Sequence, residues 1–253
     1  MKDGEQRSGS INTVVRVGNT IKRQVHPWTA TVNHFLSYLK QQNLKKIPQV
    51  LGIDEQGLEV QSYIVGETAL RPWPTVLKTN EGLEQLSAFV KTYHLAQADY
   101  RPPNWANWYA PDQQWKKGQI IRHGDLGPWN TLWQKDQLSG VIDWDCAEPS
   151  EPISDLAQLA WYSVPLRGPK GWKEAGFELA PNYTERLRVI CQTYGVEKRD
   201  LLQALLQLQL QEMDRLYQWG PKGIFPWSLY FKRGDRTVIH KEHQWLKANF
   251  ERL

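Results

Sequence analysis

The stretch Ile121-Arg122-His123-Gly124-Asp125-Leu126-Gly127-Pro128-Trp129-Asn130, followed by Gly140-Val141-Ile142-Asp143-Trp144-Asp145, constrains this chain more than any other. Residues 119–121, 131–133 and 138–142 read as short strands, and a polar loop joins the first two. Asp125 and Asn130 lie five positions apart, the Asp-x-x-x-x-Asn spacing that phosphoryl transfer uses. Asp125 is placed to accept a proton from an attacking hydroxyl, and Asn130 and Asp143 offer hard oxygen ligands to Mg2+ that neutralises nucleotide phosphates. His-Gly-Asp alone is a common turn. The Asn at this offset, the strand pair and the second Asp argue together for chemistry.

The rest of the chain reads as strands and one helix, then mainly helices. Residues 11–25 predict a hairpin about Gly18-Asn19, with Pro27 closing its second strand. Over residues 29–41 the apolar positions Val32, Phe35, Leu36 and Leu39 share one helical face. Residues 48–53 and 58–65 predict two more strands about the turn Asp54-Glu55-Gln56-Gly57. A helix follows over 83–98, then a loop rich in Pro, Asn and Trp over 100–114. After the catalytic segment, helices are expected at 153–162, 183–194, 198–217 and 238–250. This pattern predicts an α+β fold, with a small mixed lobe over 1–65, a hinge over 62–67 and a larger, mainly helical lobe over 66–253.

The chain resembles the aminoglycoside phosphotransferase and choline kinase group of small-molecule kinases. The resemblance rests on His123-Gly124-Asp125 with Asn130, on Ile142-Asp143-Trp144, on Asp155-Leu156-Ala157 and on a hinge ending in Gly66-Glu67. It implies a protein-kinase-like two-lobe fold, with Asp125 as the catalytic base and Mg2+ held by Asn130 and Asp143. ATP or GTP would be the co-substrate. By the same resemblance His123 is a packed residue that fixes the loop, and Asp155 anchors the catalytic loop. The backbone of Ser62, Tyr63 and Ile64 would meet the base, and Lys22 or Arg23 the phosphates. Lys22 is favoured because it follows Ile21 in an Ile-Lys order.

The chain also departs from that pattern. The loop Arg7-Ser8-Gly9-Ser10-Ile11-Asn12 stands where a kinase covers the phosphates but lacks the full glycine motif, and little strand precedes it. The helix over 29–41 contains no Asp or Glu to support a phosphate-binding cation. Gly127 and Trp129 replace the His and Gly of many relatives. Arg122 is expected to be exposed or paired with a carboxylate, and Asp145 to face solvent or cap a helix.

Only eleven residues separate Asp143 from Asp155, too few for a protein-substrate platform, so the acceptor is expected to be a small molecule. Trp161, Glu212 and Asp214 are candidates for its pocket. No Walker loop, nucleophile elbow or zinc helix occurs, and His240 with His243 reads as a surface pair. The net charge of +4 is scattered, so no nucleic-acid partner is expected. No long apolar run suggests a membrane span. Two cysteines and a polar first decade suggest a cytoplasmic location. The functional expectation is a Mg2+-dependent phosphotransferase acting on a small-molecule hydroxyl, aminoglycoside-like or another metabolite. The alternative is a catalytically weak, kinase-like binding or immunity module that sequesters a small ligand.

Overall fold

The computed structural model describes residues 1–253 except Ser10 and Ile11, so that part of the phosphate-covering loop lies outside the described residues. In chain order the elements are β1 (Gln6–Ser8), β2 (Thr13–Val17), β3 (Thr20–Arg23), α1 (Thr29–Gln41), β4 (Val50–Ile53), β5 (Glu59–Ser62) and β6 (Glu67–Thr68). There follow α2 (Thr75–Lys78), α3 (Asn80–Ala96), β7 (Ile120–Arg122), β8 (Thr131–Gln134), β9 (Gln137–Val141) and β10 (Glu148–Ser150). The chain ends with α4 (Ile153–Ser163), α5 (Gly168–Glu174), α6 (Tyr183–Tyr194), α7 (Lys198–Trp219), α8 (Trp227–Arg233) and α9 (Asp235–Asn249).

These elements form two compact units. The first gathers Met1–Ala69, Phe89–Asp125 and Trp129–Pro152, and the second Leu70–Ala88, Leu126–Pro128 and Ile153–Leu253. In the first unit, five strands form an antiparallel sheet in the order β1-β2-β3-β5-β4. Register sets Arg23 of β3 opposite Glu59 of β5. Helix α1 forms where its periodicity predicts, burying Val32, Phe35, Leu36 and Leu39. Strands β6, β8 and β9 make a second antiparallel sheet, and β7 pairs with β10. The buried Trp144 ring meets Phe35, Tyr93 and His123, which joins α1 and α3 to the segment after β9.

The second unit is helical. Helix α4 is buried nearly all round, as expected of a central helix packed on several neighbours. It packs against α7, which packs against α9. Arg186 of α6 is buried, and its guanidinium donates to the carbonyl oxygens of Leu77, Lys78 and Ser163. Burial lowers its pKa to about 10. Short elements absent from the sequence reading are β6, β10, α2, α5 and α8, each of seven residues or fewer, too short to carry a hydrophobic period. Among the described residues, no helix is long and apolar enough to cross a membrane.

Candidate active site

Strand β7 leads into the loop that carries Asp125 and Asn130. Its middle residue is held by buried Gln97, whose side chain donates to the Ile121 carbonyl at 3.0 Å and accepts the Ile121 N–H at 2.6 Å. Arg122 is buried and donates through Nε to Glu148 at 2.9 Å, which resolves its environment as a buried ion pair. The chain then turns at Gly124, where φ is +80° and a Cβ would stand 1.9 Å from the Cys146 carbonyl oxygen. Only glycine fits both constraints.

Beyond that turn a circuit of hydrogen bonds closes. His123 accepts the Asp125 N–H at Nδ1, at 3.2 Å, and donates from Nε2 to the Ile142 carbonyl at 3.0 Å. One neutral tautomer satisfies both contacts. Burial lowers the His123 pKa to about 4, so the ring is neutral near pH 7. Ile142 N–H donates to the Asn130 carbonyl at 2.9 Å. The Asn130 side-chain amide returns to Asp125, donating to its carbonyl at 2.9 Å and to Oδ2 at 2.8 Å. The circuit therefore fixes Asp125 and Asn130 against the residue immediately before Asp143. The Trp129 indole N–H also donates to Asp125 Oδ2, at 3.1 Å.

Asp143 follows with φ +62° and ψ +65°, a left-handed conformation that is uncommon outside glycine and concentrates at functional sites. The buried Trp144, whose indole donates to the Val141 carbonyl at 3.1 Å, holds the turn in place. Asp143 keeps 48% of its side chain exposed.

Strand alternation turns the two cations of β3 apart. Lys22, favoured for the phosphates, instead pairs with Asp54 at 2.8 Å. Arg23 is 5% exposed and faces three carboxylates: Glu59 through Nε at 2.6 Å, Asp143 through Nη1 at 3.4 Å, and Asp145 through Nη2. Asp145 corrects the sequence expectation. It is buried, neither facing solvent nor capping a helix, because Arg23 compensates it and the Asn12 amide donates to it at 2.5 Å. Burial raises the Asp145 pKa while Arg23 pulls it down. Burial likewise opposes the Arg23 charge, but Asp145, Glu59 and Asp143 outweigh it and raise the Arg23 pKa. Asn12 also meets His26, Oδ1 to Nε2, at 2.6 Å.

The remaining candidates are dispersed. The Ser62 and Tyr63 amides donate to the carbonyls of Gln49 and Asn19, each at 2.8 Å. Ile64 packs over Gly140. Asp155 is fully buried in the first turn of α4, in the second unit. In that unit Gln158 of α4 accepts the Leu126 N–H at 2.8 Å, an anchor that sequence reasoning missed. Trp161 is buried with its indole donating to Glu242 at 2.8 Å, Glu212 pairs with Arg215 at 3.3 Å, and Asp214 is exposed. His243 is buried, so His240 and His243 do not form a surface pair.

Among the described residues no three His, Cys, Asp or Glu side chains form a metal cage. The donor chemistry nevertheless suits Mg2+, which takes one or two protein oxygens and completes its shell with water and phosphate. Asp143 is a half-exposed carboxylate beside Asp145, and three carboxylates around one guanidinium leave the cluster short of positive charge.

Residues 105–189, which contain the whole catalytic segment, match the model of the phosphotransferase enzyme family. The chain is 29% identical over 197 residues to the trifolitoxin immunity protein of Rhizobium leguminosarum bv. trifolii, covering 76% of this chain and 73% of that protein. It is 33% identical over 87 residues to the viomycin phosphotransferase of Streptomyces vinaceus, covering 31% and 28%. The fold matches that of the GDP complex of wild-type aminoglycoside 2′-phosphotransferase-IIIa, with a TM-score of 0.58 at 13% identity, over 96% of this chain and 92% of that one. The chain therefore has the kinase-like fold of the aminoglycoside phosphotransferases, and its residues 105–189 are related in sequence to the phosphotransferase enzyme family.

Proposed function

We propose that this protein is a Mg2+-dependent phosphotransferase that moves the γ-phosphate of ATP or GTP to a hydroxyl of a small molecule. The observation that supports the reading is the hydrogen-bond circuit of His123, Asp125, Asn130 and Ile142, which ties the Asp125 carboxylate and the Asn130 amide to the residue before Asp143. Asp125 is the base: Oδ2 is oriented by Asn130 and Trp129, and the carboxylate takes the proton of the attacking hydroxyl. Asn130 and Asp143 would hold Mg2+, which when bound neutralises charge on the transferring phosphoryl group. Arg23, in contact with Asp143, is the cation nearest that carboxylate, and Ile64 is the hinge amide assigned to the base. The acceptor is unassigned beyond its class. The likeness to an enzyme named for viomycin and the fold of an enzyme named for aminoglycosides support an antibiotic-sized polar molecule.

Calorimetry with a non-hydrolysable ATP or GTP analogue and Mg2+, followed by an acceptor panel monitored by nucleoside diphosphate release, tests the reading. Micromolar to millimolar Mg2+-dependent binding and acceptor-stimulated release are expected. Absence of any nucleotide binding would sink it.

One observation favours a second reading. The likeness to the trifolitoxin immunity protein spans far more of the chain than the likeness to the viomycin enzyme. On that reading the protein confers immunity by binding a small ligand without transfer. Protection of a sensitive bacterium that survives Asp125→Asn would favour it over the catalytic one.

A further inference from the structure

We infer that Glu59, on β5, together with Asp145, is the positioning device for Arg23, and that Arg23 in turn fixes the metal-binding carboxylate Asp143. The inference rests on the phosphotransferase reading and deepens it. A cation that fixes a metal-binding carboxylate must itself be held, and α1 has no acidic residue with which to hold it. The structure supplies the missing carboxylate from the sheet. Register places Glu59 directly opposite Arg23 on adjacent strands, and their side chains meet at 2.6 Å in the buried interior. A third strand-borne group joins them, since the Gln61 amide donates to the other oxygen of Glu59 at 2.8 Å. Glu59 is thereby fixed at both oxygens.

The guanidinium is used on all its edges. Nε faces Glu59, Nη2 faces Asp145, and Nη1 reaches Asp143 at 3.4 Å. A planar fork with five donors can serve three carboxylates at once, whereas the point charge of a lysine on a flexible stem cannot. This accounts for an arginine at the position and for the diversion of Lys22 to Asp54. Two of the three carboxylates are buried and serve to lock the fork. The third, Asp143, is half exposed and remains available to a cation. Asn12, donating to Asp145, ties the chain that leads out of the phosphate-covering loop into the same cluster.

Calorimetry of the full chain with Mg2+ and a non-hydrolysable ATP analogue, and with the analogue alone in chelator, tests the inference. Glu59→Gln should weaken Mg2+-nucleotide binding by about tenfold or more, the usual effect of losing a partner that orients a metal ligand. Metal-free nucleotide binding should change less than about twofold, because Glu59 acts through the metal carboxylate. Arg23→Lys, which keeps the charge and loses the fork, should give the same selective loss. In an Arg23→Gln background the further change Glu59→Gln should cost almost nothing, whereas a merely structural Glu59 would cost the same in both backgrounds. Wild-type affinity in a folded Glu59→Gln or Arg23→Lys protein overturns the inference while leaving the phosphotransferase reading intact. So does an additive loss in the double variant. A wild-type protein that binds no nucleotide overturns that reading and this inference with it. Should Glu59→Gln not fold, Arg23→Lys and the charge-balanced double variant decide the matter.

Discussion

Asn130 holds Asp125 by two hydrogen bonds from a single amide nitrogen, one to the carbonyl and one to Oδ2 of the carboxylate. In the proposed function its amide oxygen would hold Mg2+, so one side chain would link the proposed base to the metal. Asn130→Asp keeps the size and an oxygen for the metal but sets a second carboxylate about 2.8 Å from the first, where the donor had been. Two such groups cannot both ionise and will share a proton. Phosphoryl transfer by Asn130→Asp is expected to fall about 100-fold or more at pH 7, the scale of a lost general base. Steady-state kinetics with the acceptor found in the panel checks this, and an activity within a few-fold of wild type contradicts the role.

The Trp129 indole N–H joins the Asn130 amide as a donor to Asp125 Oδ2. Trp129→Phe removes the N–H and keeps a ring, so it isolates the hydrogen bond. A charge-assisted bond of about 1.5–3 kcal/mol corresponds to a decrease in kcat of roughly 10–100-fold, with nucleotide KM unchanged. A kcat equal to wild type would show that Asn130 alone orients the base.

His123 satisfies two partly buried backbone groups at once, the Asp125 N–H and the Ile142 carbonyl. His123→Phe keeps the ring against Trp144 but strands both groups. At about 1–2 kcal/mol for each partly buried group left unsatisfied, a loss of roughly 2–4 kcal/mol in unfolding free energy is expected. Urea denaturation measures it.

Much of this organisation is legible in the sequence, and the illegible part has a physical cause. Helix α1 and the hairpin of β2 and β3 carry clear periods and a Gly-Asn turn, so local pattern alone locates them. The Asp125, Asn130 and Asp143 set is read from spacing along one short segment. Glu59 is not, because it looks like an ordinary surface acid until register sets it opposite Arg23, and register is a relation between strands distant in sequence. Nor is the burial of Asp145 against Arg23, a tertiary contact between residues 122 positions apart. Lys22 and Arg23 alternate across β3, so sequence order leaves open which of them meets Asp143; the side chains put Lys22 against Asp54 and Arg23 against Asp143.

Acid should destabilise the fold through His94, buried on α3, whose pKa burial lowers to about 3. The unfolded imidazole titrates near 6.5, so between about pH 6.5 and 3 the unfolded state binds the extra proton. The contribution is therefore fully present above pH 6.5 and is lost as the pH falls towards 3. From pH 7 to 5 this one group costs about 2 kcal/mol. Chemical denaturation at both pH values should show wild type losing about that much more stability than His94→Gln. Equal losses would mean that His94 is already charged in the folded protein.

Gly124 sets the sharpest limit on the catalytic loop. Its φ of +80° lies in the left-handed region, and an added Cβ would lie 1.9 Å from the Cys146 carbonyl oxygen, a backbone atom that cannot rotate away. Gly124→Ala therefore combines conformational strain of about 1–3 kcal/mol with overpacking of similar size. To relieve it, the turn between His123 and Asp125 must move relative to the segment carrying Cys146, three residues beyond Asp143. That motion opens the hydrogen-bond circuit, so stability and activity should fall together. A loss of roughly 2–5 kcal/mol by urea denaturation is expected, with weakened Mg2+-nucleotide binding by calorimetry in whatever fraction stays folded. A stable Gly124→Ala protein with unchanged nucleotide affinity would show that the turn is not coupled to Asp143.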